Sequence, residues 1–195
     1  MEYLEELELS GFIKRDYTWH LKTGTSAKLS RFRISDNYLR FYLKYIAPVQ
    51  EKIIRGAFDT ASLGLIPGWD AIMGLQFENL VLNNRRKIYQ KLGIRPEEIV
   101  YDNPFFQSKT KLQAGCQIDY LIQTRFNTLY VCEIKFQRNP IEVGIVKEVE
   151  KKIQRINCPR NFSFRPVLIH VNGVSDYVLG TQFFADVIDF SALLD

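Results

Sequence analysis

Two carboxylates and a lysine stand where apolar side chains should be. Gln117-Ile118-Asp119-Tyr120-Leu121-Ile122 and, after a short turn, Leu129-Tyr130-Val131-Cys132-Glu133-Ile134-Lys135-Phe136 read as two buried strands, and Asp119, Glu133 and Lys135 interrupt them. Local violations of packing rules are where function concentrates. Thr124-Arg125-Phe126-Asn127-Thr128 supplies a tight turn, with Asn at a position that tolerates it. Pairing symmetric about Phe126 sets Asp119 opposite Glu133, with side chains roughly 5 Å apart on one face. Lys135 shares that face, while Cys132, Ile134 and Phe136 turn into the core. Like charges placed opposite each other are destabilising, so the pair calls for something positive between them: the lysine ammonium or a divalent metal ion.

The rest of the chain must hold that hairpin. With 195 residues, 46% hydrophobic and 13% aromatic, it can bury a substantial core in one medium domain with a small appendage. Cys116, Cys132 and Cys158 show no metal-ligand spacing and are odd in number, which speaks against a disulfide framework and for a reducing cytoplasm. The acidic N-terminus lacks a signal core, and no apolar run approaches the roughly 20 residues that span a bilayer, so a soluble, non-exported protein is expected. Net charge is +4, but residues 14–55 carry ten Lys or Arg against three Asp or Glu, a local +7 that leaves −3 for the remainder. A basic segment beside a slightly acidic body points to nucleic acid, or equally to a solvated face.

Along the chain, residues 2–9 pattern as a helix stopped by Ser10-Gly11. Residues 12–19 and 28–34 read as strands of a hairpin whose returning strand is alternately basic, at Lys28, Arg31 and Arg33. A helix followed by a basic hairpin is the second half of a winged helix, so the wing is either vestigial or part of a longer polypeptide. Ser35-Asp36 caps an aromatic-rich helix through Ile46, and residues 49–68 form a looser connector. One long helix then runs from Asp70 to a stop at Gly93, with Glu78 on or beside its apolar face. Beyond the central hairpin, a helix is expected over 142–156 with Lys147, Lys151, Lys152 and Arg155 along it, Glu148 and Lys152 pairing on a solvent face in preference to the run contacting phosphates. A buried strand over 165–172, a short helix or turn over 175–184 and a terminal strand or extended tail over 186–190 complete an α/β sandwich around a mixed sheet. His20 and His170 have no ligand-like spacing, and His170 reads as a satisfied core residue.

Glu78 on a helix, Asp119 on one strand and Glu133-Ile134-Lys135 on the next resemble the PD-(D/E)XK, or restriction-endonuclease-like, superfamily. Gln117-Ile118-Asp119 and its short spacing to Glu133 look like Holliday-junction resolvases. More narrowly, residues 12–48 with Arg33-Ile34-Ser35-Asp36-Asn37-Tyr38, Gly74-Leu75-Gln76-Phe77-Glu78, Ile118-Asp119 and Cys132-Glu133-Ile134-Lys135 are similar to the C-terminal region of archaeal-type AAA+ ATPases. There a winged helix and a nuclease-like domain follow the ATPase. The chain departs from that pattern in lacking an ATPase portion and the first winged-helix elements.

The resemblance implies a restriction-endonuclease-like three-layer α/β core with a mixed β-sheet. It divides the chain into a partial winged-helix segment with its following helix (1–48), a connector (49–68) and a nuclease-like domain (69–195). It implies Mg²⁺- or Mn²⁺-dependent hydrolysis of DNA, the ion neutralising developing charge and lowering the pKa of the attacking water. Asp119 and Glu133 would hold the ion, with the Ile134 carbonyl as a further ligand. Lys135 would position the water and stabilise the phosphorane, Glu78 would support the metal, and Gln137 is a weaker candidate for touching substrate. Lys28, Arg31 and Arg33 would grip phosphates. DNA, an AAA+ ATPase module and a second copy of the chain are the partners to expect, with no membrane. The competing readings are a catalytically inactive nucleic-acid-binding or partner-docking module of the same fold, and the regulatory half of a split toxin or defence cassette.

Overall fold

The computed structural model describes residues 2–59 and 66–194. Residues 60–65, in the expected connector, lie outside the described residues. The first helix, α1 (Glu2–Leu9), leads into an antiparallel hairpin of β1 (Ile13–His20) and β2 (Thr25–Ile34). Asp36 caps α2 (Asn37–Phe41) by accepting the Leu39 N–H at 2.7 Å, and the helix continues as a wider π-type turn over Tyr42–Ile46. The connector is not all loop: a short 3₁₀ turn leads into α3 (Gln50–Ile54).

The expected long helix is two. α4 (Trp69–Asn83) stops at Asn84, and α5 (Arg85–Leu92) runs to Gly93, whose φ of 65° is the left-handed value a helix C-terminus favours. Asn84 breaks the run because its side-chain amide donates to the Leu80 carbonyl at 2.8 Å. Arg85 then anchors the break to the sheet through Asp102 and Asn103, at 2.9 and 2.8 Å.

β3 (Ile99–Gln107), β4 (Cys116–Thr124) and β5 (Thr128–Lys135) form an antiparallel meander. α6 (Gly144–Arg155) crosses back to β6 (Ser163–His170), parallel to β5, and α7 (Asp176–Gly180) leads to β7 (Asp186–Asp189), parallel to β6. The sheet order is β3-β4-β5-β6-β7. β4 and β5 are buried almost throughout, as central strands covered on both faces should be. On one face α4 and α5 bring Phe77, Val81 and Ile88 onto Tyr120, Ile122, Cys132 and Ile134. On the other, Ile145 and Val149 of α6 meet Leu121, Leu129 and Val131, joined by Trp19 and Leu21 of the β1–β2 hairpin. The layering is mixed α/β, with helices on both faces of a five-stranded mixed sheet.

The hairpin thus shares the body's core. Trp19 stacks on Tyr101 with ring centroids 4.6 Å apart and donates Nε1–H to Gln123 at 2.6 Å. Cys116, Cys132 and Cys158 are free, as expected. Among the described residues no helix is long and apolar enough to cross a membrane.

Candidate functional site

The central hairpin pairs as its sequence predicts, Gln123 with Leu129 through Tyr120 with Cys132, centred on Phe126. Asn127 takes the left-handed φ of 52° that closes the turn. The ladder stops there. The next pair would be Asp119 with Glu133, but Asp119 Oδ2 accepts the Ile134 N–H at 3.0 Å. A β-bulge accompanies this parting: Asn103 pairs with Leu121 and Phe105 with Ile118, so between those pairs one residue of β3, Pro104, stands opposite two of β4, Asp119 and Tyr120. The extra residue breaks strict alternation, placing Ile118 in the α6-side core beside Leu121, while Tyr120 faces the other way. Asp119 sits in that irregularity and is re-aimed by it.

Glu133 is 1% exposed, and both its oxygens are engaged. Oε1 lies 3.2 Å from Lys135 Nζ, and Oε2 lies 2.5 Å from Lys152 Nζ. Lys152 also approaches Asp119 Oδ1 at 3.7 Å, and Lys135 bonds Glu148 Oε2 at 3.2 Å. The expected solvent-face pairing of Glu148 with Lys152 is therefore corrected, since each reaches to the sheet instead. A signal for this was present in the sequence. Ile145, Val149 and Ile156 are buried, and Lys152 lies three residues after one and four before the next, on the same stripe.

Glu78 reaches the group from α4. Burial and then the Asp119 charge push its carboxyl up to about 7, against the lowering effect of Arg40. Burial and then Glu133 raise Asp119 to about 6, opposed by Lys152 and the Ile134 N–H. Burial works against the Lys135 ammonium, but Glu133 and Glu148 outweigh it and hold its pKa above the usual lysine value. Both carboxyls are thus held above their ordinary range first by burial and then by a neighbouring carboxylate.

Among the described residues no three carboxylate, imidazole or thiol groups converge as a closed metal cage. A hard ion that keeps most of its water does not need one; one or two carboxylates suffice. Asp119 and Glu133 fit that requirement. An extended residue turns its N–H and C=O toward the same neighbouring strand, so the Ile134 carbonyl points, like its N–H, into the gap beside Asp119.

No protein-family profile matches the chain, and no curated protein does. The crystal structure of a repair endonuclease from Pyrococcus abyssi aligns over 56% of this chain and 42% of its own, at 14% identity and a TM-score of 0.35.

Other expected site residues lie apart from the cluster. Arg33 does not present itself to solvent: it pairs with the buried Asp16 at 2.6 Å and donates to the Asn79 side chain of α4. Arg31 lies over the Phe106 ring at 4.5 Å and donates to Gln117 at 2.9 Å, two residues from Asp119. Lys28 is exposed on β2. Gln137 lies beyond the end of β5, so strand parity does not place it, and its carbonyl accepts from Asn172 at 2.6 Å. His170 is buried, as a core residue should be, and burial lowers its pKa against the raising effects of Asp189 and a backbone hydrogen bond with Val171. It stands beside Lys135 in the parallel register, with Asp189 on its other side.

Proposed function

We propose that this chain is a metal-dependent nuclease hydrolysing DNA phosphodiesters, serving as the nuclease-like module of an AAA+ ATPase system in the cytoplasm. One observation carries the reading: where the two central strands part, Glu78 of α4 feels the charges of Asp119 and Glu133, and Lys135 pairs with Glu133 at 3.2 Å. Asp119 and Glu133, with the Ile134 carbonyl, would hold Mg²⁺ or Mn²⁺, which when bound supplies charge neutralisation and a more acidic water. Lys135, tethered between Glu133 and Glu148, is held to donate to the attacking water or a phosphate oxygen. Glu78, with a carboxyl near 7, exchanges protons at neutral pH and suits a general acid or base. Lys28 and Arg31 would contact flanking phosphates, with Arg33 holding the hairpin that carries them.

The test is purified protein with Mg²⁺ or Mn²⁺ against plasmid, single-stranded and branched DNA, and RNA. Cleavage is expected with DNA, and its persistence at the wild-type rate in the Asp119→Ala, Glu133→Ala double variant would eliminate the reading. One observation favours the alternative of an inactive binding or docking module: both Glu133 oxygens already carry lysine partners. That alternative predicts salt-sensitive DNA binding with no cleavage under either metal.

A further inference from the structure

We propose that Lys152 is a built-in occupant of the metal position, its ammonium standing between the carboxylates in the metal-free protein and having to withdraw before a divalent cation can bind. The inference rests on the nuclease reading and adds a residue to it.

The two lysines divide the carboxylates unequally. Among the described residues Lys135 pairs with Glu133 and Glu148 and not with Asp119, whereas Lys152 spans both proposed ligands, at 2.5 Å from Glu133 Oε2 and 3.7 Å from Asp119 Oδ1. A divalent ion binds carboxylate oxygens at about 2.0–2.1 Å for Mg²⁺. An ammonium hydrogen-bonded to the same oxygen occupies the same space and repels the ion. Lys152 is the group that must yield.

The helix both places this lysine and allows it to leave. Its neighbours on the stripe, Val149 and Ile156, are buried against the sheet, and a charge aimed that way is retained only with a partner. Yet the side chain keeps 28% of its surface in water, so the long stem can swing its head outward without unwinding the helix. Glu148, one turn earlier on α6, is within i, i+4 reach of a withdrawn Lys152. Glu148 presently holds Lys135. Sharing Glu148 would loosen Lys135 and free its ammonium for substrate, so metal entry and lysine release are coupled.

The experiment reads Mn²⁺ binding to the full chain by electron paramagnetic resonance, independent of cleavage. Lys152→Met should tighten Mn²⁺ by about tenfold or more, because it removes a positive charge a few ångströms from the ion. Lys135→Met, which removes a charge but no occupant, should tighten it less. Lys152→Gln keeps a donor for Glu133 without the charge, so it carries the test if the Met variant does not fold. Unchanged or weaker binding in the Lys152 variants, or an effect no larger than that of Lys135→Met, would overturn the inference while leaving the nuclease reading standing. If neither wild type nor any Lys152 variant binds Mn²⁺, both fall.

Discussion

Glu78 has a carboxyl near 7 against an ordinary value near 4.5, so the folded chain holds a proton there that the unfolded chain has released. Stability contributed by this group therefore falls as pH rises from about 4.5 to about 7, then levels off. Glu78→Gln removes the dependence. Urea unfolding without metal should find the Gln variant more stable than wild type at pH 8, with the advantage shrinking steadily below pH 7; an advantage that grows on acidification would refute the assigned shift. Asp119→Asn retains an oxygen to accept the Ile134 N–H and relieves repulsion with Glu133. It should be at least as stable as wild type without metal, and should lack the rise in melting temperature that the proposed site predicts for the wild type with Mg²⁺ or Mn²⁺. No metal response in the wild type, together with a destabilised Asn variant, would make Asp119 a purely structural acceptor. Asp119, Glu133 and Lys135 were visible in sequence because charge in an apolar strand is conspicuous. Lys152 was overlooked because a lysine four residues from a glutamate also describes an ordinary solvent-facing pair.

At the scale of elements, the basic hairpin separates into two kinds of cation. Arg33 and Asp16 form a largely desolvated pair on adjacent strands, with side chains 17% and 7% exposed, and Arg33 joins the hairpin to α4 through Asn79. Removing one partner of such a pair strands the other charge, so Arg33→Ala should cost about 3–5 kcal/mol in chemical denaturation. Lys28→Ala should leave stability within about 0.5 kcal/mol and instead weaken DNA binding and reduce its salt slope. A stable Arg33→Ala protein with flattened salt dependence would return Arg33 to the phosphate-contacting set. Alternating basic residues on β2 announced a strand but not which side chains meet a carboxylate, because Asp16 becomes their neighbour only once β1 folds back. The break at Asn84 was hidden for a similar reason: the apolar period continues through it, and only the side-chain bond to Leu80 and the anchoring of Arg85 on β3 end the helix.

For the whole molecule, the hairpin and the five-stranded sheet share one core, with Trp19 buried against Tyr101 and Phe105. A chain cut down to residues 69–195 should lose cooperative unfolding, and Trp19→Ala in the full chain should cost about 3–5 kcal/mol. A truncated protein with a sharp transition and native circular dichroism would show instead that residues 69–195 stand alone. The central hairpin's strands and register and the polar intrusions at Asp119, Glu133 and Lys135 were determined by the sequence itself, since period-two patterning, turn chemistry and hydrophobicity are local properties. Tertiary structure alone decided that β4 bulges and parts from β5 at Asp119, that α4 delivers Glu78 to the gap, and that α6 lowers Lys152 onto both carboxylates. Those outcomes depend on which surfaces meet across the sheet, and the electrostatic cost of gathering like charges exists only after burial has removed the water that would have screened them.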